Sequence, residues 1–181
     1  MTKQTFKTAL TEFLINTFGE AVWDDSPEKT AERWIRAMEE FRTNSVTNFH
    51  ATTFKATANQ LIVVRDIEFS SLCAHHLFPF FGRVHVGYIP NKRMIGVSKI
   101  PRIVHHFAGR PSTQETFTRA VASFFKDTVE AQGVAVVVNS VHTCMCCRGV
   151  KERSASMVTS EMRGAFLTSM EARQEFLALT R

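Results

Sequence analysis

The chain has 181 residues, 44% hydrophobic and 22% charged, the composition of an ordinary globular domain rather than a fibre or a disordered tail. A net charge of +5 calls for an anionic partner, yet Lys and Arg are scattered and not interleaved with aromatics, so neither nucleic acid nor membrane is expected. No stretch approaches the ~20 apolar residues that cross a bilayer, and "MTKQTFKTALTEF" lacks the apolar core of a secretory leader, so a cytoplasmic location is expected.

Phe6, Leu10, Phe13, Leu14 and Phe18 recur at helical spacing and predict an amphipathic helix over 6–22. "DDSPEKTAERWIRAMEEF" predicts a second, with Ser26 as N-cap, Pro27 in the first helical position and an apolar face of Trp34, Ile35, Met38 and Phe41. The polar stretch from Thr43 to Ala58 reads as a linker, dividing an N-terminal helical region (1–50) from the main domain (51–181). "QLIVVRDIEFSS" and "GRVHVGYIP" then read as strands, followed by a turn at "PNKR". In "SKIPRIVHHFAG", Ile100, Ile103, Val104 and Phe107 mark a helix that must begin near Ser98, because Pro101 is tolerated only in a first turn. His105 and His106 flank its packed face and are assigned no chemistry. A longer helix follows in "PSTQETFTRAVASFFKDTVEA", with Phe117, Val121, Phe124 and Phe125 inward. "GVAVVVNSVHTC" and "SASMVTSEMRGAFL" predict two more strands, and "MEARQEFLALTR" a closing helix. Two strands, two helices and two strands make an α+β domain with an antiparallel sheet.

The chain holds 4 Cys and 7 His, and all the Cys with three of the His fall in two patches: "LCAHHLF" and "HTCMCCRGV". In a reducing compartment clustered Cys and His point to metal rather than to disulfides. Cys73 and His76, spaced C-x-x-H, can reach one ion, and a later Cys would complete an N/S donor set of the kind zinc favours. Three protein ligands leave a fourth position for water. In the later strand His142 and Cys144 alternate onto one face, as would Cys146, while Cys147 points away. Spacing alone does not choose between Cys144 and Cys146.

Ser98, Lys99 and Arg102 fall in the first turn of a helix, where free N–H groups and the dipole favour phosphate. Arg148 follows the second Cys patch and adds a further charge. Glu115, three residues after Ser112, fits a capping box with Ser112 as the cap, which is sufficient reason for a glutamate there.

"CAHH", "GYIPN", "IGVSKIPRIVHHFAGRP", "QE", "HTCMCCRGV" and "VTSEMRGAF" together resemble the GTP cyclohydrolase I family over roughly residues 60 to 180. The resemblance implies the tunnelling (T-) fold and a homo-oligomer, a decamer of two stacked rings with active sites at subunit interfaces. It implies Zn2+ held by Cys73, His76 and Cys144, with His75 as catalytic acid/base and His142 as a second active-site histidine. Glu115 would read the guanine edge with Gln114 beside it, and Ser98, Lys99, Arg102 and Arg148 would contact the triphosphate and ribose of GTP. Lys29 stands where the family usually presents Arg to a neighbouring subunit's phosphates. It keeps the charge but loses the bidentate fork. Ala74 stands where the family usually has Glu, which removes a carboxylate able to orient a ligand. The rival readings are a relative of the same fold with a nucleophilic cysteine, and a closed structural zinc site using Cys146 or His142 as fourth ligand.

Overall fold

Gly19, at φ 87, ends the first helix earlier than its apolar spacing predicts: α1 spans Lys3–Phe18, capped at its start by Thr2. α2 spans Pro27–Thr43, and Ser26 Oγ accepts from the Lys29 N–H at 3.2 Å, as a cap should. The computed structural model describes residues 1–43 and 51–181. It falls into two units, Met1–Thr43 and Asn44–Arg181. In the first, Phe6 packs near Trp34, with ring centroids 6.2 Å apart, and the Lys3–Glu39 and Lys7–Glu32 ion pairs join the two helices. Ala31 and Ile35 are buried there, whereas Phe13 and Phe18, expected on the buried stripe of α1, are exposed.

The expected linker lies partly outside the described residues, as does the expected boundary at residue 50. Its described remainder is not all linker: β1 (Thr53–Lys55) pairs antiparallel with β4 (Arg93–Ile95). The main sheet contains β2 (Ile62–Leu72), β3 (Pro79–Ile89), β5 (Gly133–His142) and β6 (Met157–Gly164), antiparallel in the order β2-β3-β5-β6. Side-chain alternation gives it two apolar faces. Val84, Val86, Val134, Val136 and Val138 pack with Ile100, Ile103 and Val104 of α3 (Lys99–Ala108) and Phe117, Val121 and Phe125 of α4 (Gln114–Val129). On the other face Ala135 joins Val63, Ile89 and Val137 beneath Phe166 and Phe176. Phe166 belongs to α6 (Ala165–Thr168) and Phe176 to α7 (Met170–Leu179). Gly87 makes room for this second layer, since a Cβ there would lie 2.5 Å from the Phe176 ring.

Two local expectations are corrected. The cap of α4 is Thr113, whose hydroxyl accepts from the Thr116 N–H at 3.3 Å, not Ser112. Ser112 is engaged as extended chain, donating its N–H to Leu72 O at 3.0 Å and accepting from the Ala74 N–H at 3.1 Å. Glu115 is then the second helical residue, and the capping box does not form. The chain after His142 is not a strand either: Thr143–Cys146 forms a single helical turn, α5.

Candidate metal centre and active site

The register of the sheet brings the two Cys-His patches to one end. Leu72 pairs with Pro79, and Phe80 with His142, so the β2–β3 loop and the end of β5 adjoin. The loop is held by Cys73 N–H to Phe78 O at 2.9 Å and Leu77 N–H to Cys73 O at 2.8 Å, with Leu77 at φ 55. Opposite it, α5 is anchored by Thr143 Oγ1 donating to Pro79 O at 2.7 Å.

Cys73, His142 and Cys144 meet here, with ligand atoms all within 4.8 Å of one another, a set that could hold a metal ion. Cys73 is buried, and burial followed by the neighbouring Cys73 pushes the Cys144 thiol upward from its ordinary pKa. Two adjacent thiols, one buried and one half-buried, favour a cation that takes them as thiolates, which is the chemistry of a soft N/S metal site. Because the chain is helical from Thr143, Cys144 arrives from a turn rather than by strand alternation. The Cys146 thiol donates to His142 O at 3.2 Å, one turn back, and Cys147 is exposed at the helix end.

The paired histidines diverge. His75 Nδ1 lies 3.6 Å from Cys73 Sγ, whereas His76 Nε2 lies 3.2 Å from Arg148 Nη1 and outside the Cys73–His142–Cys144 group. Both rings are solvent-exposed. His142 is buried, its ring stacked on Phe80 at 4.7 Å and 6°. Burial depresses its pKa, His75 adds to that, and the nearby Glu115 carboxylate opposes it. Glu115 is exposed beside this cluster.

Gln114, expected at the substrate, is 1% exposed, its amide spent on Val138 O, Met157 O, Thr159 Oγ1, Ser140 Oγ and His142 Nε2. Nothing in the sequence marked that network except that Ser140 and His142 share one strand face.

Ser98, Lys99 and Arg102 stand together at the start of α3, Ser98 and Arg102 exposed. The expected row of free N–H groups is not there: Lys99 N–H donates to Gly96 O at 2.8 Å and Ile100 N–H to Val97 O at 3.2 Å. Pro101 has no N–H to offer. An anion would therefore be gripped by the side chains. Lys29 belongs to the first unit, where its ammonium pairs with Asp25 at 2.8 Å.

The antiparallel sheet of this α+β domain gathers thiols and imidazoles at one end, a Cys–His centre able to hold a metal ion. The family model described as GTP cyclohydrolase I matches residues 6–181, and the chain belongs to that family, with its tunnelling fold. A relative from Aquifex aeolicus, named GTP cyclohydrolase 1, is 41% identical over 181 residues, 99% of this chain and 97% of that protein. One of the same name from Sulfurihydrogenibium sp. is 43% identical over 155 residues, 86% and 81% of the two chains. A solved structure, the archaeosine synthase QueF-Like in the apo form, covers 60% of this chain and 97% of its own at TM-score 0.48 and 18% identity, too remote to carry an argument.

Proposed function

We propose that the chain is a zinc-dependent GTP cyclohydrolase I, converting GTP and water into formate and 7,8-dihydroneopterin triphosphate. The observation that carries this reading is the meeting of Cys73, His142 and Cys144 in a chain of this family. Cys73 and Cys144 supply two thiolates, and His76, three residues from Cys73 in the same loop, supplies the third donor, leaving a position for water. Zinc held there would supply Lewis-acid chemistry, lowering the pKa of a water towards neutrality for attack on C8 of the purine.

The protein's own groups do the rest. His75 carries a proton to the imidazole-ring nitrogen as the ring opens, then assists formate release; its exposure and its place beside Cys73 suit a shuttle. Glu115 accepts from N1–H and the amino group of guanine. Ser98, Lys99, Arg102 and Arg148 grip the triphosphate and ribose, which hold C8 in place and do no chemistry. Lys29 adds a phosphate contact from a neighbouring copy of the chain. Among the described residues β2 and β6 are the edge strands of the sheet, which supports ring assembly because pairing between copies would cover those edges.

One observation favours a variant of the ligand set. His142, not His76, stands within reach of both thiols, so His142 would be the third ligand if His76 keeps its Arg148 partner.

Incubation of the zinc-loaded protein with GTP tests the function. The reading requires one formate for each 7,8-dihydroneopterin triphosphate formed, with ATP left intact. Release of neither product from GTP contradicts it.

A further inference from the structure

We propose that Gln114 is a positioning residue, fixing the orientation and tautomer of His142 rather than touching the substrate; this rests on the reading of His142 as a second active-site histidine of the proposed enzyme. The Gln114 Nε2 group faces two main-chain carbonyls, Val138 O at 3.1 Å and Met157 O at 3.0 Å, and Thr159 Oγ1 at 3.1 Å. Carbonyls only accept, so the nitrogen end of the amide must point there and the oxygen end must point the other way.

That oxygen receives Ser140 Oγ at 2.6 Å and lies 2.9 Å from His142 Nε2. An amide oxygen cannot donate, so the His142 Nε2 must carry the proton. In the neutral ring Nδ1 is then the nitrogen with the lone pair. The chain of polarity closes on itself: Thr118 Oγ1 donates to Gln114 O at 2.7 Å and lies 2.7 Å from Thr159 Oγ1. Every member is buried or half-buried, where reversing one bond would leave others unmade. Phe80, stacked on the imidazole, fixes the plane in which Gln114 fixes the rotation. With the oxygen accepting twice and the nitrogen facing three acceptors, the Gln114 amide has nothing left for a ligand.

The test compares kcat and KM for GTP in the zinc-loaded full chain. Gln114→Met should lower kcat about 10- to 100-fold, the usual cost of losing an outer partner of a site histidine. KM should stay within about twofold, because no substrate contact is lost. In the His142→Ala background Gln114→Met should cost nothing further, because two residues acting as one unit are not additive. A raised KM with kcat intact, or losses that multiply in the double variant, overturns the inference. Should thermal melts show Gln114→Met unfolded, Ser140→Ala carries the test: it must lower kcat without raising KM, and a raised KM overturns the inference equally. Full turnover by His142→Ala would instead remove the role proposed for His142, and the inference with it. Unchanged kcat in Gln114→Met beside an impaired His142→Ala overturns the inference alone.

Discussion

Cys73, His75 and His76 lie within four residues, yet each side chain takes a different partner: Cys144 and His142, the Cys73 sulfur, and Arg148. Their division of labour is separable by mutation. His75→Ala should keep zinc and lose turnover by about 10²- to 10⁴-fold, the contribution of a general acid/base. Near-normal product formation by that variant would refute the role. Metal analysis of His76→Ala and His142→Ala decides the third ligand. The proposed set expects zinc to be lost from the first and kept by the second, and the reverse result selects His142. Cys146→Ala should keep zinc, because its thiol is committed to the His142 carbonyl. Glu115 can now be read without the cap, since Thr113 performs that task. Glu115→Gln should therefore abolish selective GTP binding and leave the melting temperature nearly unchanged. An early-melting variant that binds GTP normally would show that the carboxylate serves the fold.

The cap of α4 makes a prediction at the next scale. Thr113→Ala should cost about 0.5–2 kcal/mol of stability, whereas Ser112→Ala should leave the helix capped. Equal losses in thermal or denaturant unfolding would contradict the assignment. The shift from Ser112 to Thr113 also shows where local reading ends. Both residues can cap, and what decides is Ser112 pairing with Leu72 and Ala74, some forty positions earlier. β1 escaped for a related reason: three residues, Thr53–Lys55, become a strand only by meeting Arg93–Ile95. α5 is a helical turn where a strand is expected, because four residues are too few for a helical period to show. By contrast, β2, β3, β5, β6 and the helices α3 and α4 carry their burial pattern in their own spacing, and the sequence foretold them within a few residues. The same distinction governs the site. The Cys and His patches are conspicuous, but the Gln114 network depends on α4, β5 and β6 together, and no segment of sequence contains it.

Across the whole molecule, the site depends on the sheet register that joins residues 73 and 144. Nothing among the described residues is a helix long and apolar enough to cross a membrane. As proposed, this Cys–His centre opens the purine ring of GTP when zinc is bound. The most direct measurement follows formate release from GTP by the protein as purified, after removal of metal by a chelator, and after zinc is restored. The account predicts activity with about one zinc per chain, loss on stripping and recovery on reloading, with no recovery in Cys73→Ser or Cys144→Ser. Undiminished formate release from the stripped protein, or zinc-loaded protein that leaves GTP untouched, would contradict it.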